Sequence, residues 1–435
     1  MTRGRAVRTD GLGARELVHL VVVGAGPSGA FAALAAAERG FRVTLLEAAE
    51  RIDRAPRAAT FHPSTLEMIE GLGIMDDFVR VGLVARYFDF WDKPSHSLIA
   101  RFDHDVLRED TRFPFVAQVE QHKLVDLILR RLESNPDVVV HRGARAVSLT
   151  QDEKTVTVGA KGSEGGMEVT GDWLVGADGG RSTIRAALGV EFDGYTWPER
   201  FVVLTTTFDF EAAIGCSYRS YFADPDGWAN VFKVAGDDLR GRWRVVSATE
   251  PDESDDEALG DAASARRLRA LSADAGVEHI EHRNLYKVHQ RVASKFRVGR
   301  AFLVGDAAHV NNPIGGLGLN CGIHDVAELI GLLAEARDTE CESVVEKYEP
   351  RRRAINIRYV QEQTVDNKRR LEEQSAEERA QRRTELERMA ADPSRQREFL
   401  MRTSLLGSLP SRQRLTPVPD EEHADRGSRR RTCRL

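Results

Sequence analysis

The sequence predicts an α/β fold: a parallel-sheet nucleotide-binding domain, interleaved with an antiparallel-sheet domain and followed by C-terminal helices. Three observations predict it. A β-branched strand runs straight into a Gly-x-Gly-x-x-Gly turn and an alanine-rich helix. Two more strand–turn–helix corners, rich in glycine and aspartate, lie far downstream. Between them the composition turns aromatic and strand-like, and after Pro350 it is dominated by Arg, Glu and Gln.

Each element follows in order. Val18–Val23 is a short apolar run stopped by Gly24, as a buried parallel strand should be. Ala30–Arg39 is a strong helix former closed by Gly40 in a C-capping role. Phe41–Leu46 is the second strand, ending at Glu47, which completes a βαβ unit. Asp53–Phe61 reads as a loop, and Pro63 opens a helix over Ser64–Gly71. Tyr87–Arg112 reads as strands with turns. Gln121–Glu133 is an amphipathic helix ended before Asn135-Pro136. Val138–Val175 reads as short strands with a turn at Gly162–Gly166. Val190–Asn284 holds Trp197, Trp228, Trp243, Tyr195, Tyr218 and Tyr221 and reads as an antiparallel sheet. Ala301–Val304 returns to the buried-strand pattern, and a helix is expected from Cys321 to Glu335.

The expected boundaries place residues 17–88, 112–190 and 285–350 in the nucleotide-binding domain and 89–111 and 191–284 in the second. Residues 351–410 form a C-terminal helical segment, and the polar, basic stretch 411–435 is expected to be disordered.

The bulk numbers limit the function. The 435 residues suffice for two or three domains. Charged residues make up 30% and apolar ones 41%, as in ordinary soluble proteins. A net charge of −6 gives no electrostatic case for nucleic acid. Cys216, Cys321, Cys341 and Cys433 form no CxxC pair, so they read as reduced thiols of a cytoplasmic protein, with no disulfide frame and no metal site. Residues 1–16 lack the apolar core of a signal peptide, and Leu17–Val23 is too short to span a bilayer.

Three motifs carry the chemistry. In the first, Gly24-x-Gly26-x-x-Gly29 with Ser28 inside it, Gly24 makes the tight turn. Gly26 lets the backbone approach a pyrophosphate, and Gly29 lets helix and strand pack. The helix N-terminus offers free N–H groups to the phosphate, and Glu47 can accept hydrogen bonds from both ribose hydroxyls of an adenosine. The second is Leu174-Val175-Gly176-Ala177-Asp178-Gly179-Gly180-Arg181-Ser182-Thr183-Ile184-Arg185. The third runs from Phe302 through Gly305-Asp306-Ala307-Ala308-His309 to Pro313-Ile314-Gly315-Gly316-Leu317-Gly318-Leu319-Asn320. Asp306 ends a buried strand, where a carboxylate can bind a ribityl or ribose hydroxyl. The turn after it leads to a second helix N-terminus, an anion site suited to the N1–C2=O edge of a reduced flavin.

Together these motifs resemble the class A flavoprotein aromatic monooxygenases, the para-hydroxybenzoate hydroxylase-like family, over roughly Val18–Arg353. The resemblance implies a Rossmann-like FAD-binding domain. It implies that Arg57 lies near the FAD pyrophosphate, that Gln121 contacts FAD, and that Asp178 serves both FAD and the nicotinamide nucleotide. It implies that Asp306 is the ribose or ribityl ligand, that Pro313 lies beside flavin and substrate, and that Gly318, Leu319 and Asn320, with Gly316, touch the flavin edge. The chemistry implied is reduction of FAD by NADH or NADPH, addition of O₂ at the flavin C4a, and hydroxylation of a phenolic aromatic by the hydroperoxide. Two other readings share the fold: an FAD-dependent reductase, and a flavin-binding protein without turnover. The WxWxIP signature of flavin-dependent halogenases is absent from the sequence. A monomer or homodimer is expected.

Tyr221 and His289 are the candidates for orienting or deprotonating a phenol; the plainer alternatives are an aromatic packing residue and a polar strand residue. His62 reads as a helix-entry residue and His309 as part of the third turn rather than an acid–base group. Cys321, at the expected helix start, has either a lowered pKa or simple burial. Arg351–Arg353 and Arg429–Arg431 read as solvated charge.

Overall fold

The apolar run before Gly24 forms strand His19–Val23, buried at every position. In this computed structural model, residues 17–163, 165–250 and 252–408 are described. The expected tail from Ser411, including Arg429–Arg431, and the N-terminal residues 1–16 lie outside them. His19–Val23 sits between Trp173–Gly176 and Arg42–Glu47, parallel to both. Val138–Arg142 and Ala301–Leu303 extend the sheet in parallel, and Arg297–Val298 closes it antiparallel. All three glycine-rich turns therefore leave the same, C-terminal, edge of one parallel sheet, where open α/β sheets bind ligands.

Helix Pro27–Ala37 begins three residues earlier than the alanines suggest, with Pro27 in its first turn, where a missing N–H costs nothing. Its C-cap is Glu38 rather than Gly40, which instead turns the chain with φ +74°. The third-motif helix also starts early, spanning Leu317–Thr339. Gly316 caps it in the left-handed region (φ 68°), so the glycines taken as loop continue into helix. This helix is apolar and long enough to cross a membrane, but 67% of its apolar window is buried inside the protein, which makes it a core helix.

The second sheet has eight strands, in the order His309–Val310, Ile280–Ala293, Phe192–Thr206, Arg242–Ala248, Ala229–Val234, Arg219–Ala223, Tyr87–Asp92, Ser97–Asp103. Two expectations need correction. The sheet is not wholly antiparallel, because Arg219–Ala223 pairs in parallel with Tyr87–Asp92. The boundaries at 88/89 and 284/285 cut through strands: Tyr87–Asp92 belongs to this sheet, and Ile280–Ala293 runs through it unbroken for 14 residues.

Side chains alternate across this sheet. Phe201, Val203, Tyr221, Val246 and Val288 form a cluster on one face with Phe88 and Ile314. Val202, Leu204, Phe222, Trp243 and Val245 pack on the other against Ala258 and Leu268, from the short helices Asp255–Leu259 and Asp261–Arg269. The charged C-terminal segment is helical as expected: Tyr348–Ile355, Glu362–Leu371, Ala376–Ala391 and Pro393–Thr403, with a π-helical stretch Asn356–Gln361. It lays a few apolar residues, Leu371, Leu386 and Leu400, onto the first face. Phe399 packs 4.4 Å from the Phe102 ring centroid.

Candidate active site

A single cavity of about 990 Å³ runs from the first turn to the first face of the eight-stranded sheet. Of the residues singled out in the sequence, it gathers Gly24, Gly26, Ser28, Glu47, Arg57, Gln121, Asp178, Asp306, Pro313, Gly316, Gly318 and Leu319, together with Tyr221 and His289. Gly24 and Leu319, 295 positions apart in the chain, thus face one space.

At one end lies the first turn. Gly24 has φ +98°, and a Cβ there would stand 2.5 Å from the Ala177 carbonyl oxygen. A Cβ on Gly29 would overlap the Gly24 carbonyl, so Gly29 serves helix–strand packing and is not itself a cavity residue. A Cβ on Gly26, by contrast, meets nothing within 4 Å, because that side of the turn faces the cavity. Glu47 braces the turn: its Oε2 accepts from the Ala25 N–H at 2.6 Å and its Oε1 from Ala49 N–H at 2.8 Å. The N-terminus of Pro27–Ala37 has no side-chain cap, which leaves its N–H groups for an anion.

The second and third turns close on the first: Ala177 and Asp178 abut Gly24, and Gly305 packs against Ser28. The Asp178 carboxylate, on the cavity wall, accepts from Ser182 Oγ and, at 3.0 Å, from Ile184 N–H within its own corner. Arg185 bridges the two motifs, donating to the carbonyls of Ala307 (2.9 Å) and Gly180 (2.8 Å). Asp306 is surrounded by protein but open to the cavity; burial raises its pKa, against the pull of nearby His309 and Arg57. Arg57 itself is exposed and paired with Asp53 at 2.8 Å. The N-terminus of Leu317–Thr339 is also without a side-chain cap, so Gly318 and Leu319 present it to the cavity.

Asn320 lies outside the cavity. Its Oδ1 accepts from His62 N–H at 2.9 Å and its Nδ2 donates to the carbonyls of Thr60 (2.8 Å) and Gly316 (2.5 Å). Its amide ties the Thr60–His62 segment to the start of the third-motif helix. Gly305 is likewise behind the wall; with φ +55° it packs on Ser28, and its N–H donates to Asp325 Oδ2 at 3.1 Å.

Behind that wall lies a network the sequence did not reveal. His309 Nε2 is 2.7 Å from Asp325 Oδ2, and Arg352 Nε donates to Asp325 Oδ1 at 2.7 Å. Burial alone would raise the Asp325 pKa; His309 and Arg352 more than offset it and hold the carboxyl below its ordinary value. His309 is thus a side-chain partner and not merely part of a turn. Cys321 joins the group, 3.2 Å from Arg352 Nη2. His309, Cys321 and Asp325 lie close enough to hold a metal ion, but the Arg352 guanidinium already supplies the positive charge among them. Burial pushes the Cys321 thiol up to about 12, so it is an inert thiol rather than an activated one.

The far floor is the first face of the large sheet. Arg219 and Tyr221, Asn230 and Phe232, Arg244 and Val246, Val203, and Tyr286 and Val288 line it, two residues apart along each strand where paired. Tyr221 packs edge-on against Phe88 (4.8 Å) and Phe90 (5.7 Å). His62 is buried, not in a loose loop; its Nε2 contacts the Gly315 carbonyl at 2.9 Å, and burial, then Arg219, lowers its pKa well below the ordinary value. His289 sits apart from the floor. It is exposed at the rim, 2.8 Å from Thr196 Oγ1, and burial together with Arg291, Lys287 and Arg181 lowers its pKa.

Two uncapped helix ends, an open glycine face and the acids Glu47 and Asp306 on one cavity fit FAD. The comparison with known proteins agrees: a model of the FAD binding domain matches residues 18–363. The chain belongs to the class A FAD-dependent aromatic monooxygenases. Among related monooxygenases, it is 31% identical over 390 residues to para-nitrophenol 4-monooxygenase of Pseudomonas sp. (strain WBC-3), covering 88% of this chain and 94% of that one. It is 32% identical over 355 residues to 6-hydroxy-3-succinoylpyridine 3-monooxygenase of Pseudomonas putida (strain DSM 28022 / S16), covering 81% and 88%. The crystal structure of p-nitrophenol 4-monooxygenase from Pseudomonas putida DLL-E4 superposes with a TM-score of 0.83 at 30% identity, over 89% of this chain and 98% of that one. This monooxygenase therefore uses FAD, with NAD(P)H as co-substrate, to hydroxylate an aromatic compound.

Proposed function

We propose that this enzyme hydroxylates a small phenol held between the Pro313–Leu319 turn and the sheet face of Val203, Tyr221, Phe232, Val246 and Tyr286. The observation that carries the reading is the continuity of the cavity: the residues suited to FAD and this aromatic-lined floor share one space. FAD, when bound, supplies electron transfer from NAD(P)H and the activation of O₂.

The chain's own residues would do the rest. The Gly24–Ser28 turn and the helix behind it hold the pyrophosphate, Glu47 the adenosine ribose, and Asp306 a ribityl or ribose hydroxyl. Arg57 and Gln121 flank the same stretch. The N–H groups of Gly318 and Leu319 offer positive potential to negative charge on the flavin ring edge. The apolar residues of the floor, Val203, Phe232, Val246 and Val288, exclude water. Tyr221, a floor residue whose phenol interacts with the Arg219 guanidinium, orients the substrate phenol and exchanges its proton, a role the exposed rim position of His289 does not suit. The named substrates of the relatives, a nitrophenol and a hydroxylated pyridine, are of the size and kind this floor fits.

The test is phenol-dependent oxidation of NADH or NADPH by the FAD-loaded protein, with Tyr221→Phe beside the parent. The reading expects stimulation by phenols and a variant whose turnover falls more than its substrate affinity. Unaltered turnover in the variant would remove Tyr221 from the chemistry.

A further inference from the structure

The residues of the Pro313 turn alternate. Asn311, Pro313 and Gly315 line the cavity, whereas Asn312 and Ile314 are fully buried on the other side. Proline has no N–H to donate, so the turn's own hydrogen bonding is thin; within it the Gly316 N–H reaches the Pro313 carbonyl at 3.0 Å. His62 supports the Gly315 carbonyl. The stretch from Val310 to Ile314 is held from behind, by two elements distant in the chain.

Strand Ile280–Ala293 sends Gln290. The C-terminal helices present Gln361, Thr364 and Asn367, a spacing that puts them on one face. Gln290 Oε1 accepts the Asn312 N–H at 3.0 Å, and Gln290 Nε2 donates to Thr364 Oγ1 at 3.0 Å. Asn312 Nδ2 donates to the Thr364 carbonyl at 3.0 Å, and Asn312 Oδ1 accepts the Ile314 N–H at 3.1 Å. Gln361 Nε2 and Asn367 Nδ2 reach the carbonyls of Val310 (3.1 Å) and Ile314 (3.3 Å). Backbone partners fix the direction of both central amides: the Thr364 hydroxyl donates to the Val360 carbonyl at 2.8 Å, so it accepts from Gln290. Gln290, Asn312 and Thr364 are each at most 5% exposed, and every polar atom of their side chains has a partner. A buried network satisfied in this way rigidifies its surroundings and specifies one geometry. Gln290, Asn312 and Thr364 do not line the cavity, so they act on it only through the turn.

We propose that Gln290, Asn312 and Thr364 are positioning residues for hydroxylation: they fix the Pro313 turn against the aromatic ring and so decide how much of the activated oxygen reaches the substrate. The inference rests on the hydroxylase reading above and adds to it the residues that keep oxygen transfer coupled to NAD(P)H oxidation. In coupled turnover, NAD(P)H, H⁺, O₂ and a ring C–H give NAD(P)⁺, a ring C–OH and H₂O. In uncoupled turnover, NAD(P)H, H⁺ and O₂ give NAD(P)⁺ and H₂O₂, and the ring is unchanged. Transfer to the ring depends on alignment, where a shift of about 1 Å slows a reaction by about a hundredfold. Release of peroxide needs no aligned ring.

The experiment compares the parent with Gln290→Leu, which keeps the size of the side chain and removes its hydrogen bonds. Two readouts are taken. In the apoprotein, hydrogen exchange of residues 310–316 should be faster in the variant, since the Asn312 N–H loses its acceptor. In the FAD-loaded enzyme, NAD(P)H consumed, H₂O₂ released and hydroxylated product are measured together, with whichever of phenol, para-cresol and para-hydroxybenzaldehyde most stimulates the parent. The variant's ratio of product to H₂O₂ should fall about tenfold, while its KM for the phenol and its FAD affinity stay near those of the parent. Gln290→Glu, whose neutral carboxyl offers one acceptor and one donor, should restore much of the ratio. Should Gln290→Leu fail to fold, Thr364→Val, which removes one hydroxyl, and its rescue Thr364→Ser decide by the same ratio. Exchange at 310–316 that does not change overturns the proposal without reference to any substrate. So does a variant that loses stability and FAD affinity with the product ratio intact; either result leaves the hydroxylase reading standing. If none of the phenols stimulates the parent, the hydroxylase reading fails, and this proposal with it.

Discussion

Asp325 Oδ2 receives the Gly305 N–H at 3.1 Å and lies 2.7 Å from His309 Nε2, so Asp325 holds both ends of the third turn from behind. Arg352, from the C-terminal helices, completes the pairing. The residues that shape the cofactor cavity are thus fixed by a charge buried outside it.

Arg352→Met leaves Asp325 buried with His309 as its remaining strong partner. The expected cost is about 3–5 kcal/mol of stability, the range for breaking a buried ion pair from one side, accompanied by easier loss of FAD. Urea unfolding with and without added FAD checks it. A variant as stable as the parent would show that the network contributes nothing.

The two motif aspartates should behave differently. Asp306 is exposed on the cavity. Asp306→Ala should therefore leave the apoprotein about as stable as the parent and weaken FAD about ten- to a hundredfold. Asp178→Ala removes a partner of Ser182 and of the Ile184 N–H, and should cost about 1 kcal/mol of stability, the scale of a lost helix cap. Flavin titration and apoprotein melting separate the two.

Gly26→Val tests whether the open side of the first turn is reserved for a ligand. No atom lies within 4 Å of a Cβ there, so the apoprotein should fold and melt like the parent while FAD affinity collapses. A destabilised apoprotein with normal FAD affinity would contradict the assignment.

Buried neutral histidines should make the fold acid-sensitive. Burial first, then Arg219, lowers His104 from 6.5 to about 4; burial first, then Arg352, lowers His324 from 6.5 to about 3. On acidification the unfolded chain takes up these protons first, so stability is lost as pH falls from 6.5 toward those values. Each histidine removes up to about 1.4 kcal/mol per pH unit in that window. The urea midpoint should drop between about pH 7.5 and about pH 5, and His104→Asn should flatten the drop.

What the sequence made legible was local. Glycines, an acid at a strand end and a following helix are adjacent in the chain, so the three turns could be read directly. Partnerships across the chain were not. Nothing near Asp325 announces Arg352, 27 positions on, and nothing near Asp178 says its carboxylate folds back onto Ser182. Asn320 sits in the motif, but its amide is drawn away by His62 and Thr60. The domain boundary was lost because Ile280–Ala293 is one strand serving both the rim and the sheet. One signal for the floor was available: Arg219 alternates with Tyr221 on one face of the strand Arg219–Ala223. The C-terminal helices hid their role because a few apolar residues among many charges suffice to dock them.

The central claim is that one cavity brings FAD, O₂ and an aromatic ring together. The most direct test is turnover of the purified enzyme under ¹⁸O₂ with NAD(P)H and a phenol that stimulates it, followed by mass spectrometry of the product. The account predicts a ring hydroxyl carrying one labelled oxygen atom, formed by the parent and sharply reduced in Asp306→Ala. A product that gains no label, while nicotinamide oxidation still responds to the phenol, would contradict it.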